Sequence, residues 1–149
     1  MAVLTSCGSS ASYANDVSVV DLCAKVDALL TNSTEFALMS DDYIKGMMYV
    51  DTSKFAEHAV KLRASGANVD EYGIFKAPDN SDPELIRETV EAYLKMRVDT
   101  WMPEYMPEEF PKMQSASVKV FGQYVVYCIL DEATKANVFS AVESALVQK

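Results

Sequence analysis

The stretch Tyr124-Val-Val-Tyr-Cys-Ile-Leu130 constrains the fold more than any other part of the chain, because it is apolar at nearly every position. A strand with one wet face alternates apolar and polar side chains. A run without that alternation reads as a central strand covered on at least one face. Gly122 separates it from a second extended stretch, Ser117 to Phe121, and the pair reads as a hairpin. A sheet centred here needs further strands. His58, Val60 and Leu62 alternate with Ala59, Lys61 and Arg63, the period of a strand with one face buried and one in water. Ser65-Gly66-Ala67-Asn68 interrupts the pattern before Tyr72, Ile74 and Phe75 carry a strand through Glu71 to Ala77. So short a break predicts an antiparallel hairpin.

The same chain supplies helices to cover the sheet. Asp16 is placed to cap a helix with Val19, Leu22, Cys23, Val26, Leu29 and Leu30 on one face, and Ser40 a shorter one over Met39 to Met48, which Gly46 weakens. Ser81-Asp82-Pro83-Glu84 is the strongest helix start: a capping oxygen, a proline whose missing N–H costs nothing there, and acid in the positive first turn. Ile86, Val90, Tyr93, Leu94, Val98 and Trp101 trace its buried stripe, and Pro103, Pro107 and Pro111 forbid its continuation. Asp131 opens a last helix that packs through Val138, Phe139, Val142 and Leu146. The order α-α-β-β-α-β-β-α predicts an α+β fold. Its expected form is a two-layer sandwich: a four-stranded antiparallel sheet of two hairpins, each followed by a helix, with the helices on one face. Residues 16–149 are expected to form one domain.

Charge narrows the partners. Thirteen Lys and Arg stand against 22 Asp and Glu, a net charge of −9 over 149 residues with no basic run, so nucleic acid is not an expected partner. No apolar stretch approaches the roughly 20 residues that cross a bilayer.

The opening Met1-Ala-Val-Leu4-Thr5-Ser6-Cys7-Gly8 has the form of a bacterial lipobox, a Leu three positions before a Cys with small residues between. A secretory signal needs a basic segment and about 7 to 15 apolar residues upstream, so this run reads as the remnant of a longer signal. On that reading Cys7 carries a lipid that anchors the protein to the outer face of the cell membrane. The Ser-, Ala- and Gly-rich residues up to Asn15 form a flexible tether, completing a non-domain segment 1–15. The alternative is a cytosolic, unlipidated protein with a frayed N-terminus.

Asp70-Glu71-Tyr72-Gly73-Ile74-Phe75-Lys76 after Gly66-Ala67, Arg97 in the long helix, Tyr105 with Pro107-Glu108-Glu109, and Gly122-Gln123-Tyr124-Val125 follow one another in a familiar order. Together they resemble an uncharacterised family, a domain of unknown function found in small secreted lipoproteins of clostridia and related bacteria. The resemblance runs from about Tyr49 to Phe139, and it implies an exported, lipid-anchored protein with no assigned catalytic residues.

No catalytic constellation is visible. His58 is the only histidine, which rules out a two-histidine zinc site and favours a packed or hydrogen-bonded structural role. Cys23 and Cys128 both face the expected core, either paired in a disulfide or packed as free thiols. Asp41-Asp42, Asp79 with Asp82, and Glu104-Glu108-Glu109 are acidic groups of a kind that capping and chance proximity explain, and no calcium-loop spacing is present. Lys76, Arg87 and Arg97 are expected in surface ion pairs. No metal and no cofactor is called for. The densest unusual stretch, Trp101 to Met113, offers Trp101, Met102, Tyr105, Met106 and Phe110 as a partner-binding loop. The competing reading clamps the long helix to the second hairpin with the aromatics at the core edge. The expected function is a lipid-anchored, extracytoplasmic domain that binds a protein or small molecule without catalysis. The alternative is a hydrolase whose carboxylates meet only in the fold.

Overall fold

The computed structural model describes residues 11–148. The chain runs through α1 (Val19–Asp27), β1 (Phe36–Leu38), α2 (Asp41–Met48), β2 (Glu57–Arg63), β3 (Glu71–Lys76), α3 (Pro83–Asp99), α4 (Phe110–Gln114), β4 (Ser117–Phe121), β5 (Tyr124–Ile129) and α5 (Glu132–Leu146). The mixed α+β class is as expected. The sheet, however, has five antiparallel strands in the order β1-β2-β3-β5-β4, not four. The extra strand is three residues long, too short to show alternation, and exists because Phe36, Ala37 and Leu38 pair with Arg63, Leu62 and Lys61 of β2. The two expected hairpins lie side by side, joined through β3 and β5.

The helices do not gather on one face. Leu22 and Val26 of α1 and Val138 and Val142 of α5 pack with Tyr72, Ile74, Tyr124, Val126 and Cys128 on one side of the sheet. On the other, α2, α3 and α4 contribute Ile44, Val90, Tyr93 and Met113 to a core with Phe75, Val125, Tyr127 and Ile129. The architecture is therefore three layers. The cause is already in β5, whose successive side chains point to opposite faces and are apolar on both, and in Phe75 of β3, which opposes Tyr72 and Ile74, so each face demands a cover. All six residues of β5 are buried. Three layers also correct the expectation of a wet face on β2: Lys61 reaches across to Asp27 of α1 (Nζ to Oδ2, 2.6 Å) instead of entering water.

Local signals place the elements. The α1 cap is Ser18, whose Oγ accepts from the Asp21 N–H at 3.1 Å, rather than Asp16. Ser40, Asp82 and Asp131 cap α2, α3 and α5 as their positions suggest. The short helix α4 forms inside the proline-rich stretch because Pro111 falls in its first turn, where its missing N–H has no partner to lose. Gly122 turns β4 into β5 at φ 58°. Part of the expected tether is docked on the domain: Tyr13 bridges Val147, and its ring packs edge-on against Phe121 at 5.8 Å. Cys7 lies outside the described residues. Among the described residues, no helix is long and apolar enough to cross a membrane.

Candidate functional site

A cleft of about 1050 Å³ opens between the C-terminal end of α2 with the turn that follows it and the flank of α3 that faces them. Sequence-local rules build both walls. The α2 helix ends at Tyr49, which closes it in the left-handed conformation (φ 55°) with its N–H on the Lys45 carbonyl. Held there, the Tyr49 side chain is 80% exposed. Asp51 then caps a single 3-10 turn, Thr52–Lys54, its carboxylate accepting from the Ser53 N–H (3.1 Å) and hydroxyl (2.7 Å), and these bonds hold it ionised below the usual carboxylate range. That turn delivers Lys54 and Phe55 to the cleft beside Met48 and Val50. The facing wall is one stripe of α3, with Leu85, Ile86, Thr89, Ala92, Tyr93 and Met96 at helical spacing. From Asp82 to Met96 the stripe runs about 20 Å, at about 1.5 Å per residue.

Asp41 anchors the far end of α2. Its Oδ1 lies 2.8 Å from His58 Nε2 on β2, and its Oδ2 accepts from the Thr52 hydroxyl at 3.2 Å. The His58 bond holds the Asp41 carboxyl below its ordinary range. His58 is thus hydrogen-bonded and half-buried, with the Phe55 ring 5.7 Å away, and it clamps the helix that forms one wall of the cleft.

Beneath the other wall lies a buried polar cluster that sequence reasoning missed. Glu71 of β3 is 1% exposed. Its Oε1 accepts from the hydroxyls of Tyr93 (2.8 Å) and Tyr127 (2.5 Å), and its Oε2 from Arg97 Nη1 at 2.9 Å. Burial, with the neighbouring Glu71 carboxylate adding to it, drives the Tyr93 and Tyr127 phenols well above their usual range, so both donate as neutral groups. Tyr93 belongs to both structures, since its ring lines the cleft while its hydroxyl holds Glu71. The signal was present: Arg97 continues the stripe Ile86, Val90, Tyr93 at helical spacing, and a cation in phase with a buried stripe requires a buried acid opposite it.

The other expected groups are dispersed. Arg87 pairs with Glu84 and Glu91 along the exposed flank of α3, and Lys76 with Glu57 across the sheet at 3.4 Å. Glu109 accepts from Lys112, which also meets Asp70. Cys23 and Cys128 are both free and buried, so no disulfide joins them. Among the described residues no three His, Cys, Asp or Glu side chains gather in a way that could hold a metal ion. In the proline-rich loop, Trp101 stacks on Phe110 (5.7 Å, 19° between planes), and both pack with Met106 at the margin of the α3-side core. Met102 and Tyr105, at 65% and 56% exposure, point outward.

The fold and site define a small three-layer α+β domain with an apolar cleft along one helix and a sealed charge pair beneath it. The family model described as domain of unknown function DUF4358 matches residues 31–130, from β1 to the end of β5, and the chain belongs to that family. No curated protein and no solved structure matches the chain.

Proposed function

We propose that this protein is a non-catalytic binding module that works outside the cytoplasm on a lipid tether at Cys7 and holds its ligand in the cleft between α2 and α3. The cleft carries the binding half of the reading: it has the volume of a ligand site, an apolar and methionine-containing lining, and a few polar groups at its margin. The Leu4-Thr5-Ser6-Cys7 pattern supports the anchored half. The hydrolase alternative has less support. Among the described residues, Glu71 is the one carboxylate buried below the surface, and Arg97 neutralises it rather than a second acid facing it.

Two measurements test this. Mass spectrometry of the protein from its native membrane is expected to find diacylglycerol on the Cys7 sulfur, and a bare thiol in a cytosolic fraction contradicts the anchor. Nile red, a neutral apolar probe, is expected to bind saturably at one site and to lose that binding in Ala92→Trp, which fills the cleft. Binding unchanged by the substitution contradicts the site.

The exposed Met102 and Tyr105 support a second reading in which the Trp101–Phe110 loop also touches a protein partner.

A further inference from the structure

We propose that the cleft takes a basic amphipathic peptide segment, with apolar side chains on the α3 stripe and Lys or Arg side chains against an acidic margin. The inference rests on the cleft being the binding site and adds the chemistry of the occupant. Three carboxylates line the cleft, Asp51, Asp82 and Glu88, against one cation, Lys54. Glu88 is exposed on α3 and has no hydrogen-bond or ion-pair partner among the described residues, unlike Glu84 and Glu91 on the flank, which Arg87 occupies. Asp51 and Asp82 each spend Oδ1 on a cap, leaving Oδ2 outside those bonds. A fatty-acid carboxylate or a lipid phosphate would bring its negative charge to this margin, on a chain already at −9. A cationic side chain gains there.

Shape points the same way. A floor about 20 Å long suits about 14 residues of helix, whose i, i+3/i+4, i+7 side chains form one continuous apolar ridge. Met48 and Met96 on opposite walls can repack around such a ridge, and the Thr89 hydroxyl is turned away from it onto the Leu85 carbonyl.

The test uses the full chain and a fluorescent Leu–Lys amphipathic peptide of about 14 residues, read by anisotropy at near-physiological salt. Three controls accompany it: the same composition scrambled to remove the apolar face, a Leu–Glu counterpart, and Nile red. The Leu–Lys peptide is expected to bind one to one, at least about tenfold tighter than the scrambled or Leu–Glu peptide. Glu88→Lys, an exposed change, is expected to weaken it about threefold, and Ala92→Trp at least about tenfold, with the thermal midpoints of both variants checked against the parent. Equal binding of the Leu–Glu or scrambled peptide, or an affinity untouched by Ala92→Trp, overturns the proposal. If Nile red still binds in an Ala92→Trp-sensitive way while the Leu–Lys peptide does not, the peptide chemistry fails and the cleft stands. If neither binds, both fail.

Discussion

A Cβ built on Gly73 would lie 2.3 Å from Cε1 of Tyr127, so the tyrosine ring fills the space that any side chain at position 73 would need. The two residues face each other across β3 and β5, and this placement lets the Tyr127 hydroxyl reach Glu71, two residues along the same face. Gly73→Ala must displace the ring or bend the strand. It is expected to destabilise the fold by about 3 kcal/mol, towards the upper end of overpacking costs, lowering the urea midpoint with an unchanged slope. Combining it with Tyr127→Ala is expected to cost less than the two single losses added. Strict additivity would show that the ring and the glycine do not compete for that space.

The Glu71–Arg97 pair has little water to replace a lost partner, since the two side chains are 1% and 19% exposed. Arg97→Ala leaves the buried Glu71 carboxyl between two phenols without its cation and is expected to cost about 3–5 kcal/mol in denaturant unfolding. Glu71→Gln together with Arg97→Met is expected to be much milder than the sum, because the amide still accepts from Tyr93 and Tyr127 and no charge is left unpaired. A coupling energy near zero would show that the pair does not act as a unit.

Stability is expected to form a plateau against pH with a fall at each end. Asp41, Asp51 and Asp131 are held below the usual carboxylate range, by hydrogen bonds from His58, from the Ser53 hydroxyl and N–H, and from the Thr134 N–H respectively. A depressed folded pKa gives stability that is complete above the unfolded value, about 4, and is lost as pH falls through the folded one. Tyr72, Tyr93 and Tyr127 are raised chiefly by burial, so what they contribute is complete below about pH 10 and is lost above it. Thermal midpoints across the pH range are expected to show both limbs. Asp131→Asn, which keeps a capping oxygen but cannot ionise, is expected to make the acid limb shallower.

The buried thiols offer a reading of local opening. Burial raises the Cys23 thiol and pushes that of Cys128 up to about 12. In the native protein at pH 8, iodoacetamide is expected to leave both unmodified on the timescale on which urea-unfolded chain reacts fully, as judged by peptide mass mapping. Rapid native labelling at Cys128 would contradict a β5 sealed on both faces.

The parts of the fold that were legible are those with a strong periodic or capping signal. The unbroken apolar run of β5 announced a covered central strand, and Ser81-Asp82-Pro83 announced α3. The second helical layer is legible only where both phases of a strand are weighed together: Phe75 beside Ile74 and Tyr127 beside Val126 require cover on both faces. β1 was invisible because three residues show no period and owe their structure to β2. Of the candidate site, the phase of the Ile86–Tyr93 stripe was readable, but the cleft was not. It depends on where Tyr49 ends α2 and how far the following turn stands from α3, a tertiary relation with no local signature. The Asp41–His58 clamp joins positions on different elements for the same reason.

The central claim is that recognition takes place between α2 and α3, and amide chemical-shift mapping of the full chain during titration with the Leu–Lys peptide tests it most directly. The predicted result is a saturable set of shifts confined to Met48–Phe55 and to the Leu85–Met96 face of α3. Shifts centred instead on Trp101–Phe110, or spread evenly over the acidic surface, would contradict it.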